Sequence, residues 1–268
     1  MTLGQPDSAG IPEELARLTT VLPFNNPEAV NNCFENHGDE IAAVIVEPYP
    51  ANSGFYFPEE NFLELLRSRC TEHGAVLIFD EVMTGFRLHP AGVQGLTGIQ
   101  PDLSAFGKVI GGGLPVGAFG GEARLMDHLA PDGPVYQAGT LSGNPLALAA
   151  GLTSVNKLLE TDAYTELERK GLRIATSLRQ AAAEKGIPFT VHQSGSMFCL
   201  FFNEGPIPNA SAVQQSDFAA FNRFFHRCLE QGVYLPPSAY ETCFISTAHT
   251  DAIVDQALEI MIRALDRA

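Results

Sequence analysis

The feature that most constrains the fold is a set of short apolar runs, each ending on a polar or charged residue and each followed by a stretch of helical character. Ala42-Ala43-Val44-Ile45-Val46 runs into Glu47-Pro48. Ala75-Val76-Leu77-Ile78-Phe79 runs into Asp80-Glu81. Leu103-Ser104-Ala105-Phe106 runs into Gly107-Lys108. Near-continuous apolar strands separated by helices point to a parallel sheet covered on both faces. Pro58 to Cys70 reads as one of the helices, with Phe62, Leu63, Leu65 and Leu66 as its apolar stripe. Gly117 to Gly121 supplies a fourth strand. In such sheets, ligands sit just past the carboxyl ends of the strands. Glu47, Asp80 and Lys108 all fall there.

The texture changes near Pro145. Leu146 to Leu159 and Ala163 to Lys185 are long helical patterns. Strand-like Phe189 to Val191 and Met197 to Phe202 follow, then a helix over Asp217 to Gln231, a strand over Cys243 to Ser246 and a last helix from Asp251 to Arg267. The division is therefore residues 1–150 as part of a large α/β domain and 151–268 as a smaller α+β domain.

Composition narrows the partners. With 31 acidic against 16 basic residues, the net charge of −15 repels phosphate backbones and anionic lipids, which argues against nucleic-acid and membrane partners. No apolar run reaches the ~18 residues of a membrane helix. Met1 to Ser8 has neither the basic start nor the apolar core of a signal peptide. Five scattered cysteines without a CxxC give no disulfide framework and no zinc signature, so a reducing, cytoplasmic compartment is expected. His37, Asp39 and Glu40, and the Cys70 to His73 turn, lack a second half with metal geometry, and no metal is expected. Phe221, Phe224 and Phe225 are at core spacing, and Arg169, Lys170, Arg173 and Arg179 read as an exposed helix face.

Asp80 follows five apolar residues. A carboxylate there is costly to desolvate unless a cation meets it, so it either caps the next helix, pairs with Arg87, or faces a protonated heterocycle. Lys108 lies between Gly107 and Gly111-Gly112-Gly113, where an amine can be partly desolvated and become nucleophilic. Gly107-Lys108 is not followed by Ser or Thr, and no GxxxxGK or GxGxxG is present, so nucleotide binding has little support. Together, Asp80 and Lys108 suit a lysine Schiff base to pyridoxal phosphate, with an acidic partner on the pyridine nitrogen. The lysine freed by substrate can then move the Cα proton. Val82, two residues after Asp80 on the same strand face, either packs on the ring or is ordinary core.

Three segments carry a family resemblance: Ile45-Val46-Glu47-Pro48, Leu77 to Arg87, and Gly107 to Gly117. They resemble the class III aminotransferases, of the aspartate-aminotransferase-like fold type I. Met83-Thr84-Gly85-Phe86-Arg87 and Val135 to Pro145 are most similar to the glutamate-1-semialdehyde 2,1-aminomutases within that class. The resemblance implies a cofactor alternating between pyridoxal 5'-phosphate and pyridoxamine 5'-phosphate, and conversion of glutamate-1-semialdehyde to 5-aminolevulinate for tetrapyrroles. It implies Lys108 as the cofactor lysine, Asp80 at the pyridine nitrogen and Asn52 at the ring hydroxyl. Thr140 would bind the phosphate of a neighbouring subunit's cofactor, with Tyr136 near that shared site, and Glu241 would meet the substrate amine. Glu47 reads as structural, closing its strand. Tyr49-Pro50 departs from the family's small glycine-containing stretch.

Thr2 to Ser8 resembles a stretch well inside the family, so the usual N-terminal third or more is expected to be missing, with an open sheet edge where it would pair. Three readings stay open: a fragment needing a partner piece, a shortened relative that still holds the cofactor, and a non-catalytic interaction module. Another class III aminotransferase with an external amino donor is the rival enzyme. A homodimer with shared active sites is the implied assembly.

Overall fold

The computed structural model describes residues 9–266; Met1 to Ser8, Arg267 and Ala268 lie outside the described residues. The first half holds a four-stranded sheet in the order β1 (Ala43–Val46), β2 (Val76–Asp80), β3 (Leu103–Phe106), β4 (Ala118–Gly121). The first three strands are parallel, and β4 runs antiparallel to β3 at the edge.

Helices α1 (Glu13–Ala16), α2 (Pro27–His37) and α3 (Phe62–His73) belong to this half. Asn26 caps α2 by accepting the Ala29 N–H, with Pro27 at the first helical position. In α3 the stripe Phe62, Leu63, Leu66 and Cys70 is buried, and Gly74, in the left-handed conformation, ends the helix. The helix starts at Phe62 rather than Pro58, because the chain must first turn through left-handed Asn61.

Parallel register sets Val44 beside Leu77 and Val46 beside Phe79, so these four share one face. That face packs on α2 and α3, and Leu77 and Phe79 are fully buried. The other face carries Ile45, Ile78 and Asp80. On that face Ile45 is 66% exposed. The described helices α2 and α3 both pack against the Leu77 face.

Short α4 (Gly92–Thr97) and α5 (Ala123–Met126) follow β2 and β4, and α6 (Pro145–Glu160) leads into α7 (Ala163–Glu184). A second sheet, antiparallel throughout, is ordered β5 (Thr190–Ser194), β6 (Met197–Phe201), β7 (Cys243–Phe244). It packs with α7, α9 (Phe218–Glu230) and α10 (Asp251–Leu265), whose core includes Leu178, Phe221, Phe224 and Phe225; α8 (Ala210–Val213) is a single turn. Asp217 lies just outside α9 as its cap, accepting from Ala220 N–H. A third core joins the halves, setting Phe55, Met83 and Leu88 against Met197 and Phe201.

The face read as exposed on α7 is corrected at Lys170, while Arg169 and Arg179 are exposed as expected. Lys170 is buried, Arg169 and Arg173 pair with Asp251, and Arg179 donates to the Val191 carbonyl. Asp251, the first residue of α10, is the carboxylate that meets Arg169 and Arg173 there.

Among the described residues, no helix is long and apolar enough to cross a membrane, and no group of three or more His, Cys, Asp or Glu is placed to hold a metal.

Candidate active site

Three parallel strands bring their carboxyl ends to one edge. Glu47 follows the last residue of β1, Asp80 is the last residue of β2, and Lys108 is two residues past β3. Their charges act on one another: Asp80 raises the pKa of Glu47 and Lys108 lowers it.

Asp80 points to the face away from α2 and α3, because it alternates with buried Phe79. One oxygen, Oδ1, accepts the Val82 N–H at 3.0 Å. Its second oxygen has no hydrogen-bond partner among the described residues. The alternative of a pair with Arg87 is not what forms. The Arg87 Nε–H donates to the Met83 carbonyl at 3.0 Å, its guanidinium lies 4.5 Å over the Phe244 ring, and burial lowers its pKa. The strand ends at Asp80, so Val82 is in the turn beyond it rather than on the strand face. Its side chain lies against Gly107, where a Cβ would come within 3.1 Å of Val82 Cγ1.

Lys108 opens a short 3-10 turn, Lys108 to Gly111, with φ of 48°, in the left-handed region. It is exposed, and its amine makes no hydrogen bond among the described residues.

Asn52 sits on the loop after β1. Its amide donates to both Glu47 oxygens, at 3.1 Å each, and Ala51 N–H adds a third bond at 3.2 Å. Glu47 therefore closes its strand end and orients Asn52. Burial raises the Glu47 pKa, against the lowering effect of these hydrogen bonds.

Glu241 is exposed on a segment anchored to that same loop. Gly54 N–H donates to the Tyr240 carbonyl and Thr242 Oγ1 to the Ala51 carbonyl, both at 2.9 Å. These bonds tie the segment that carries Glu241 to the loop that carries Asn52. Tyr136 and Thr140 lie on an exposed stretch with no hydrogen bond to the rest of the site among the described residues. Tyr136 is 83% exposed.

Sequence reasoning missed Glu81. Fully buried, its carboxylate accepts Thr84 Oγ1–H at 2.6 Å, Val93 N–H at 3.0 Å and Gln94 N–H at 3.1 Å. Its own N–H reaches the Ala105 carbonyl at 2.9 Å, extending the β2–β3 pairing beyond Asp80. Only the position of an acid straight after an apolar strand could have pointed to it.

A lysine, a half-free carboxylate and an oriented amide at the carboxyl ends of parallel strands define an α/β enzyme site of the kind that holds its ligand at strand ends. A family model described as aminotransferase class-III matches residues 5–265, and the chain belongs to that family. It is 55% identical over 267 residues to a glutamate-1-semialdehyde 2,1-aminomutase of Akkermansia muciniphila, covering 100% of this chain and 63% of that protein. The chain thus spans less than two thirds of the relative it matches. Among solved structures it is similar to an omega-transaminase from Sphaerobacter thermophilus, at a TM-score of 0.91 and 32% identity, covering 98% of this chain and 60% of the other. It is also similar to a transaminase described as having PLP bound, at a TM-score of 0.84 and 29% identity, covering 96% and 59%. Those likenesses support the fold-type expectation of a mostly parallel sheet flanked by helices.

Proposed function

We propose that this chain carries the lysine-bearing part of a pyridoxal-phosphate aminomutase site that converts glutamate-1-semialdehyde to 5-aminolevulinate. The observation that carries it is the meeting of Glu47, Asp80 and Lys108 at the ends of three parallel strands. The residues fit the cofactor by their chemistry: among the described residues, the second Asp80 oxygen is open to accept a pyridinium N–H, the Lys108 amine makes no hydrogen bond, and the Asn52 side-chain oxygen is open to a ring hydroxyl. When bound, the cofactor supplies an electron sink for the substrate Cα.

The chain's own residues do the rest. Asp80 keeps a ring nitrogen protonated, because an adjacent anion favours the cationic form. Lys108 anchors the cofactor and moves a proton at the substrate Cα. Val82, in the turn held by Asp80, covers the ring from the Gly107 side. Glu241 receives the substrate amine, and Asn52 orients the ring with Glu47 behind it. Thr140 and Tyr136 serve the neighbouring subunit of a homodimer, consistent with their exposure. Lys108, Asp80 and Asn52 would hold the cofactor in its pyridoxal 5'-phosphate and pyridoxamine 5'-phosphate forms, which would supply the amine that is moved. The compartment is cytoplasmic, in keeping with five free cysteines. We divide the chain near residue 150, with residues 1–150 in the large domain and 151–268 in the small one, because separate cores form around β2 and around β6.

A second reading, an aminotransferase with an external amino donor, is favoured by the high structural likeness to an omega-transaminase.

Purified chain given pyridoxal phosphate should develop a visible band that borohydride bleaches and that Lys108→Ala lacks. Activity with glutamate-1-semialdehyde alone supports the aminomutase. A need for a separate amine donor supports the second reading. No Lys108-dependent band overturns cofactor holding by this chain.

A further inference from the structure

Among the described residues, Lys108 is one of four non-glycine residues in the left-handed region, with Asn25, Asn61 and Phe86. Such a conformation persists where the surroundings over-determine it. The turn that Lys108 opens rests on α6. Of the sixteen residues in that helix, just two are buried, Ala147 and Gly151, one turn apart. Both lie on the face turned to the Lys108 to Gly111 turn, with which α6 is in extensive contact.

The contact is backbone on backbone. A Cβ on Gly151 would stand 2.0 Å from the Ile110 carbonyl oxygen and 3.6 Å from Gly111 Cα. From the other side, a Cβ on Gly112 would stand 2.4 Å from the Ala150 carbonyl oxygen, and Gly112 itself has φ of 57°. Neither clash is with a flexible side-chain tip, so neither can be relieved without moving the turn or the helix. Glycine within a helix otherwise costs stability relative to alanine, so Gly151 is locally unfavourable and gains its place from this approach.

We infer that Gly112 and Gly151 form a seam that positions Lys108, seating its turn directly on α6 and holding the lysine in its left-handed backbone conformation. The inference rests on the reading of Lys108 as the reactive lysine only for its catalytic consequence. It makes these glycines positioning residues, and it makes α6, which leads into the second half of the chain, the support on which the lysine rides. A tilt of α6 would move the Lys108 amine.

The test reads the lysine itself and needs no cofactor. The chain is acylated with trace acetic anhydride across pH 6–10, and the labelling of Lys108 is followed by mass spectrometry against Lys185, which lies outside α6, as internal reference. Gly151→Ala and Gly112→Ala should each change the Lys108 labelling rate about three-fold or more, or displace its pH midpoint, with the reference unmoved. Leu152→Ala, on the exposed side of α6, should leave Lys108 unchanged. Folded glycine variants with a wild-type Lys108 profile overturn the inference. If those variants fail to fold, Lys108→Gly decides. Relief of the left-handed strain should raise Tm by about 2–4 °C, and an unchanged or lower Tm overturns the inference. A chain that shows the labelling shift but no Lys108-dependent band with pyridoxal phosphate keeps the seam and loses the cofactor reading. A band without the shift does the reverse.

Discussion

Asn52 donates its side-chain amide to both carboxylate oxygens of Glu47, and this bond is the chief force holding the Glu47 pKa down against its burial. Burial still wins, so the folded value lies above the ordinary 4.5. By linkage, the folded state takes up the proton more readily than the unfolded chain does. The contribution of Glu47 to stability is full below 4.5 and is lost as pH rises through the folded value. Asn52→Ala removes the donor and should raise the Glu47 pKa further, read from the side-chain carboxyl resonance in a 13C titration. It should also cost about 1.5–3 kcal/mol at neutral pH in urea unfolding, the net value of a hydrogen bond to a charged group. A Glu47 titration unmoved by Asn52→Ala would show that the pair does not form in solution.

Glu81 poses the opposite problem, a fully buried carboxylate whose partners are all neutral donors. Glu81→Gln keeps the shape but turns an NH2 toward donors that need an acceptor. It should destabilise the chain by about 1–3 kcal/mol, with Glu81→Ala worse because three donors are then left unpaired. Since Gly85 N–H also bonds the Glu81 carbonyl at 2.8 Å, the loss should fall first on the turn after Asp80. Hydrogen exchange at Val93 and Gln94 should accelerate in Glu81→Gln before exchange in β2 does. Uniform acceleration would refute this local role.

How much of this was legible in the residues follows from what each signal depends on. The apolar runs before Glu47, Asp80 and Lys108 gave both strand identity and strand ends, because parallel strands need unbroken burial and stop where the chain turns polar. The caps at Asn144 and Asp217 explain one-residue boundary shifts: Pro145 begins α6 and Asp217 stays outside α9. Lys170 was misread because a lysine's burial is decided by what packs on its helix, here α10, and not by its neighbours in sequence. The direction of β4 was equally hidden, since four residues of alanine, phenylalanine and glycine carry no orientation. The bond from Asn25 Nδ2 to the Pro208 carbonyl at 2.8 Å likewise spans a separation that no local pattern encodes.

His192 joins the two halves at a titratable point. Its Nδ1 lies 2.7 Å from the Phe55 carbonyl, and its ring sits against Phe57 and Phe201. Burial lowers its pKa from the ordinary 6.5, and Arg179 adds to the lowering against the Phe55 bond. The unfolded chain therefore binds the proton more readily. Stability from this group is full above 6.5 and is lost as pH falls through the folded value. The slope contributed by one such proton reaches at most about 1.4 kcal/mol per pH unit. Urea midpoints measured from pH 7.5 down to 5 should fall more steeply for wild type than for His192→Gln. Parallel curves would show that His192 titrates alike in both states.

At the opposite end of the strands from Lys108, Asp102 does a purely structural job. It is buried just before β3, accepts Leu77 N–H at 2.6 Å, and pairs with Arg67 at 2.9 Å and Arg124 at 3.4 Å. Arg67 comes from α3, so one carboxylate ties helix, β2 and β3 together. Exposed Arg124 adds little, but half-buried Arg67 and the Leu77 amide would lose their acceptor. Removing one partner of a buried pair costs about 3–5 kcal/mol, and partial exposure of Arg67 sets the expectation for Asp102→Ala near about 3 kcal/mol. Because the strand ends that carry Asp80 and Lys108 lie away from this contact, Asp102→Ala at low temperature should leave Lys108 acylation at its wild-type rate while the urea midpoint drops. A matching change in Lys108 reactivity would mean that β2 and β3 transmit strain along their length, and that the site is less independent of its frame than the hydrogen bonds indicate.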